Sequence, residues 1–66
     1  MNQGKTVYLV VSKAEFIKKV GVNPIYLYQD KYYVGLETLT ENGEDVENCI
    51  EFSTLSLAEE FANELS

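Results

Sequence analysis

Apolar and polar residues alternate between Ile25 and Phe52, and this constrains the chain most, because a repeat of two sends successive side chains to opposite faces of a strand. Ile25 to Tyr28, Tyr32 to Thr38 and Val46 to Phe52 each carry the pattern, and the segments between them are polar or contain glycine. They read as three consecutive antiparallel strands joined by turns. With Asp30-Lys31 as the first turn, Leu27 faces Val34 and Ile25 faces Leu36 on one side, while Tyr28 faces Tyr33 and Tyr26 lies across from Gly35 on the other. Asp-Lys is a poor type I′ sequence, so a four-residue loop with the same pairing is the alternative. In the second hairpin, a five-residue loop from Glu41 to Asp45 places Ile50 against Leu36 and Phe52 against Val34, continuing the buried face. A tight Asn42-Gly43 turn would set Val34 opposite Glu51, which costs a buried charge unless a bulge intervenes.

The flanking segments complete the expected order. Thr6 to Val11, rich in β-branched residues, reads as a first strand. Ser12-Lys13-Ala14-Glu15 has the form of a capping box. A short helix is therefore expected from Lys13, with Ala14, Ile17 and Val20 as its apolar stripe, Phe16 beside them and Gly21 at C′. Ser56-Leu57-Ala58-Glu59 repeats the capping form and opens a clearer helix with Leu57, Ala58, Phe61, Ala62 and Leu65 at helical spacing. The expected fold is α+β, a single domain over residues 1–66 in the order β-α-β-β-β-α. Its four-stranded sheet is antiparallel or mixed, with both helices on one face and Leu36, Ile50, Phe52 and Phe61 in the core.

With 66 residues the core is thin, and self-association is one way to reinforce it. The single cysteine, Cys49, has no intramolecular disulfide partner, which fits a cytoplasmic protein. The apolar run from Val7 to Val11 is too short for a signal-peptide core or a membrane span. Histidine, arginine and tryptophan are missing, and there is no phosphate loop, nucleophile elbow or paired-cysteine motif. No enzyme, catalytic residue, cofactor or metal is therefore expected. Glu41 to Glu47 clusters carboxylates around a glycine, but the spacing is not that of an EF-hand, and a solvated turn is the better reading. Cys49 reads as a small strand residue whose acidic neighbours Glu37, Glu47 and Glu51 would raise its pKa.

Charge is distributed unevenly. From Glu37 to Glu64 the chain carries nine acids and no base, within a net charge of -6. Such a segment repels phosphate, so direct binding of nucleic acid is not expected, nor is a membrane. The registers above put Tyr26, Tyr28, Tyr33, Glu37, Glu47 and Glu51, with Cys49 among them, on the face away from the helices. Tyrosines ringed by acids suit a protein interface with a basic partner. The expected function is a non-enzymatic protein-binding module that inhibits or modulates a larger protein with a basic surface, in its sharpest form by acting as a nucleic-acid mimic. A homodimer or larger self-associating module is the competing reading.

Overall fold

The computed structural model describes residues 5–66. Five antiparallel strands, β1 (Thr6–Val10), β2 (Glu15–Val20), β3 (Asn23–Tyr28), β4 (Lys31–Glu41) and β5 (Glu44–Phe52), form one sheet in the order β1-β5-β4-β3-β2. A single helix, α1 (Leu55–Leu65), follows. The fold is α+β, but the expected four-stranded sheet with two helices is overturned. Ser12 caps no helix: Val11–Lys13 is one 3-10 turn, and Glu15–Val20 is a strand. Phe16, Ile17 and Val20 suit a strand as well as a helix, and as a strand this segment supplies hydrogen bonds to the outer edge of β3. Gly21, at φ 62, serves the two-residue turn Gly21-Val22 instead of a helix end. The final helix begins before the expected capping box, with the Thr54 side chain accepting from the Leu57 amide at 3.2 Å.

β1 and β2 are opposite edges of the sheet, yet only Val11 to Ala14 joins them. A flat sheet would hold its edges about 19 Å apart, at ~4.8 Å per strand spacing. The five Cα steps from Val10 to Glu15 reach at most about 17 Å when extended, and much less where they wind into a 3-10 turn. The sheet must therefore curl. Val11 and Ala14 pack on a cluster of Leu9, Tyr26, Tyr33 and Cys49, so the link crosses the concave side. The other face carries Ile25, Val34 and Phe52, covered by Ala58 and Ala62 of α1 with Phe61 and Leu57 beside them. One extra residue in each of two strands, Ile17 in β2 and Leu36 in β4, adds the local bend that a curled sheet needs.

Both hairpin registers differ from expectation. In the first, Ile25 pairs with Val34 and Tyr26 with Tyr33 around a Gln29-Asp30 turn at φ 50 and 66, the type I′ geometry that matches strand twist. A slip of two residues keeps every side chain from Ile25 to Gly35 on its expected face. In the second, the tight Asn42-Gly43 turn forms, at φ 52 and 81, and the five-residue loop does not. The ladder runs from Glu41↔Glu44 to Glu37↔Asn48, then skips Leu36 and resumes at Gly35↔Cys49 and Val34↔Ile50. The bulge thus spares Val34 from facing Glu51, and its cost is Leu36, which is 41% exposed and leaves the expected core. Phe52 is buried, while Ile50 and Phe61 are half-buried against it. Replacing Gln29-Asp30 by Asn-Gly should relieve two positive-φ side chains. Urea unfolding should show the midpoint rising by the equivalent of about 0.5–1 kcal/mol at unchanged slope.

Candidate docking site on the concave face

The strand period places the concave face, and the bulge decides its membership. Tyr26 stands opposite Tyr33, Tyr33 opposite Glu51, Gly35 opposite Cys49, and Thr38 opposite Glu47. Glu47 is only 3% exposed. Its side chain lies directly over Gly35, where an added Cβ would come within 2.5 Å of Glu47 Oε2, so the missing side chain makes room for the carboxylate. Thr38 Oγ1 donates to Glu47 Oε1 at 2.5 Å. Asn23 Nδ2, buried beside it, donates to the Gly35 carbonyl at 3.0 Å. Tyr33 OH donates to Glu51 Oε2 at 2.9 Å.

Burial sets the ionisation of this face. It pushes the Cys49 thiol up to about 12, helped by the Glu47 charge, and the thiol donates to the Glu47 carbonyl at 3.4 Å. Burial also pushes the Tyr33 phenol up to about 12, with its hydrogen bond to Glu51 as the next cause. Tyr26 is raised by burial and then by Glu47. All three stay neutral around pH 7, and Cys49 lacks the thiolate that nucleophilic chemistry needs.

The six residues expected at a partner surface therefore separate. Tyr26, Tyr33 and Glu47 come together but are buried, and Tyr28 and Glu51 are half-buried. Tyr28 and Tyr33 remain neighbours, with ring centroids 6.5 Å apart. Glu37 is exposed but pairs with Asn48, one register step beyond Glu47, so the bulge moves it to the opposite face. It is Glu47, not Tyr26, that covers Gly35. Sequence reasoning missed Thr38, Phe16, Lys19 and Leu36. These line an open depression of about 430 Å³ whose inner side includes Tyr26 and Glu47. Phe16 meets the Tyr26 ring edge-on at 6.1 Å. The Asn-Gly turn was the available signal, since its tight register requires the bulge that exposes Leu36.

A second surface lies beyond the sheet proper. From Leu36 to Asp45 every residue is exposed. This stretch of β4 has no β3 residue opposite it, and β5 before Val46 has no β1 residue opposite it. A two-stranded ribbon results, carrying Glu37, Glu41, Glu44 and Asp45. Elsewhere Glu59 is tied to Lys18 at 2.9 Å. Among the described residues no group of three or more His, Cys, Asp or Glu is placed to hold a metal, and no helix is long and apolar enough to cross a membrane.

Because the folded pKa values of Cys49 and Tyr33 lie above their ordinary 9.0 and 10.0, the neutral forms favour the fold. That stability is complete below about pH 9 and is lost as pH rises toward about 12. Circular dichroism across pH 8–12 should show alkaline unfolding together with tyrosinate absorbance, and Cys49→Ala should move the midpoint upward. A chromogenic disulfide should leave Cys49 unmodified at pH 8 until denaturant is added. No protein-family model, curated protein or solved structure matches the chain, so its own geometry and charge carry the functional argument.

Proposed function

We propose that the protein is a non-enzymatic acidic docking module that engages a basic surface of a larger protein and inhibits or modulates it. The observation that carries this reading is the ribbon, four carboxylates at Glu37, Glu41, Glu44 and Asp45 with no base between Leu36 and Asp45. Exposed Glu60 and Glu64 on α1 add to the same sign of field. A projecting strip of carboxylates is matched by a cationic groove, and a nucleic-acid-binding surface is the sharpest case of one. The lone buried thiol accords with a reducing compartment, and we place the protein in the cytoplasm on that basis.

Rim charges act mainly on encounter, so the partner should show strong salt dependence. A partner captured from source-cell lysate at low salt and identified by mass spectrometry should associate at least tenfold more slowly when ionic strength rises from about 0.05 to 0.5 M. The screening length falls from roughly 14 to 4 Å over that range. Neutralising the ribbon through Glu41→Gln, Glu44→Gln and Asp45→Asn should slow association comparably without changing the fold. Binding indifferent to salt and to these substitutions, with light scattering reporting a dimer, would replace this reading with self-association.

A further inference from the structure

We propose that the depression between β2, β3 and β4 seats one lysine or arginine side chain of the protein partner, with Glu47 as its counter-ion and Phe16 and Tyr26 as its aromatic walls. This rests on the docking reading above and names where one cation of the basic surface goes. Glu47 is the most deeply buried acid among the described residues, at 3% exposure, and only one of its two oxygens takes a hydrogen bond from them. Oε1 takes the Thr38 hydroxyl, while Oε2 receives no hydrogen bond among the described residues. The only ion pair among those residues joins Lys18 to Glu59. An acceptor on the wall of this depression that takes no hydrogen bond from the described residues is open to a donor from outside, and a cationic donor complements its charge best.

The rim specifies the rest of the ligand. Phe16, Val22 and Leu36, at 56%, 81% and 41% exposure, all line this one depression. They are three of the six large exposed hydrophobics among the described residues. Apolar surface grouped around a buried charge fits an amphipathic side chain, whose alkyl stem lies on Leu36 and Phe16 while its head reaches Glu47. An ammonium or guanidinium beside the Phe16 and Tyr26 rings also gains from their quadrupoles. Anions are disfavoured by the net charge of -6. A small free amine would leave Val22 and Phe16 uncovered, which is why the partner is a protein surface. Lys19 is also on the rim but makes no ion pair with Glu47, so its charge opposes the incoming cation.

The test uses defined probes on the whole protein. N-acetyl-arginine N-methylamide and its lysine counterpart are titrated into ¹⁵N-labelled protein, with N-acetyl-norleucine N-methylamide as the neutral control. Saturable amide shifts are expected at Phe16, Tyr26, Thr38 and Glu47 with the cationic probes and not with norleucine. Glu47→Gln, which can still accept from Thr38, should weaken the probe at least about fivefold. Lys19→Ala should tighten it about twofold, and Phe16→Ala, an exposed position, should weaken it while leaving the spectrum dispersed. Glu60→Gln and the ribbon-neutralised variant should leave probe affinity unchanged. Shifts that do not saturate, that spread over the ribbon and α1, or that survive both Glu47→Gln and Phe16→Ala would overturn the proposal. Salt-sensitive partner binding alongside such a result would leave the docking reading standing and remove only this seat. Probe binding at Glu47 with salt-indifferent partner binding would do the reverse.

Discussion

Four residues, Val11 to Ala14, tie together the two outermost strands of a five-stranded sheet, and the rest of the molecule follows from that short tether. A sheet joined across its edges at this length cannot lie flat. Curling gives its two faces different fates: the convex side takes α1, and the concave side covers itself with its own side chains and the link. A chain of 66 residues thereby buries apolar residues on both sides of one sheet. This answers the thin-core problem without an intramolecular disulfide. It also explains why Tyr26 and Tyr33, on the face that no helix covers, are as buried as Phe52 beneath α1.

Within that curl, the register of β4 against β5 resolves a conflict between a turn and a face. Asn42-Gly43 is strongly suited to a two-residue type I′ turn, but continuing its register unbroken would bring Glu51 opposite Val34. The extra residue at Leu36 separates the two demands. Its consequences are concentrated in one place: Leu36 is expelled to the surface, Glu37 changes face, Thr38 is delivered to Glu47, and Gly35 lies bare beneath the Glu47 carboxylate. Among the described residues only Thr38 donates to the Glu47 carboxylate, through Oε1. The carboxylate's position beside an exposed apolar rim is what the proposed seat for a cationic side chain rests on.

The three strands between Asn23 and Phe52 were legible because their alternation is strict, and side chains before the bulge kept their faces even though the first turn slipped by two residues. α1 was legible from Leu57, Ala58, Phe61 and Ala62 at helical spacing. β2 was not. Ala14, Ile17 and Val20 follow a helical spacing, and Ser12 with Glu15 imitates a cap, while β-branched and aromatic residues in the same segment suit a strand. Pairing with β3 decided between them, and that is a tertiary event. The shared face of Tyr26, Tyr33 and Glu47 could be read from periodicity. Its concavity could not, because curvature arises from which edges the link connects and not from any local pattern. Glu37 was misplaced for a related reason, since one inserted residue reverses the parity of everything beyond it.

The tether is tested most directly by nuclear Overhauser contacts from the Val11 and Ala14 methyl groups in solution. The curled sheet predicts contacts from these methyls to side chains of the cluster formed by Leu9, Tyr26, Tyr33 and Cys49, together with cross-strand Hα contacts between Glu15–Val20 and Asn23–Tyr28. Methyl groups lacking those contacts, with sequential amide contacts of a helix running from Lys13 to Val20, would contradict the account.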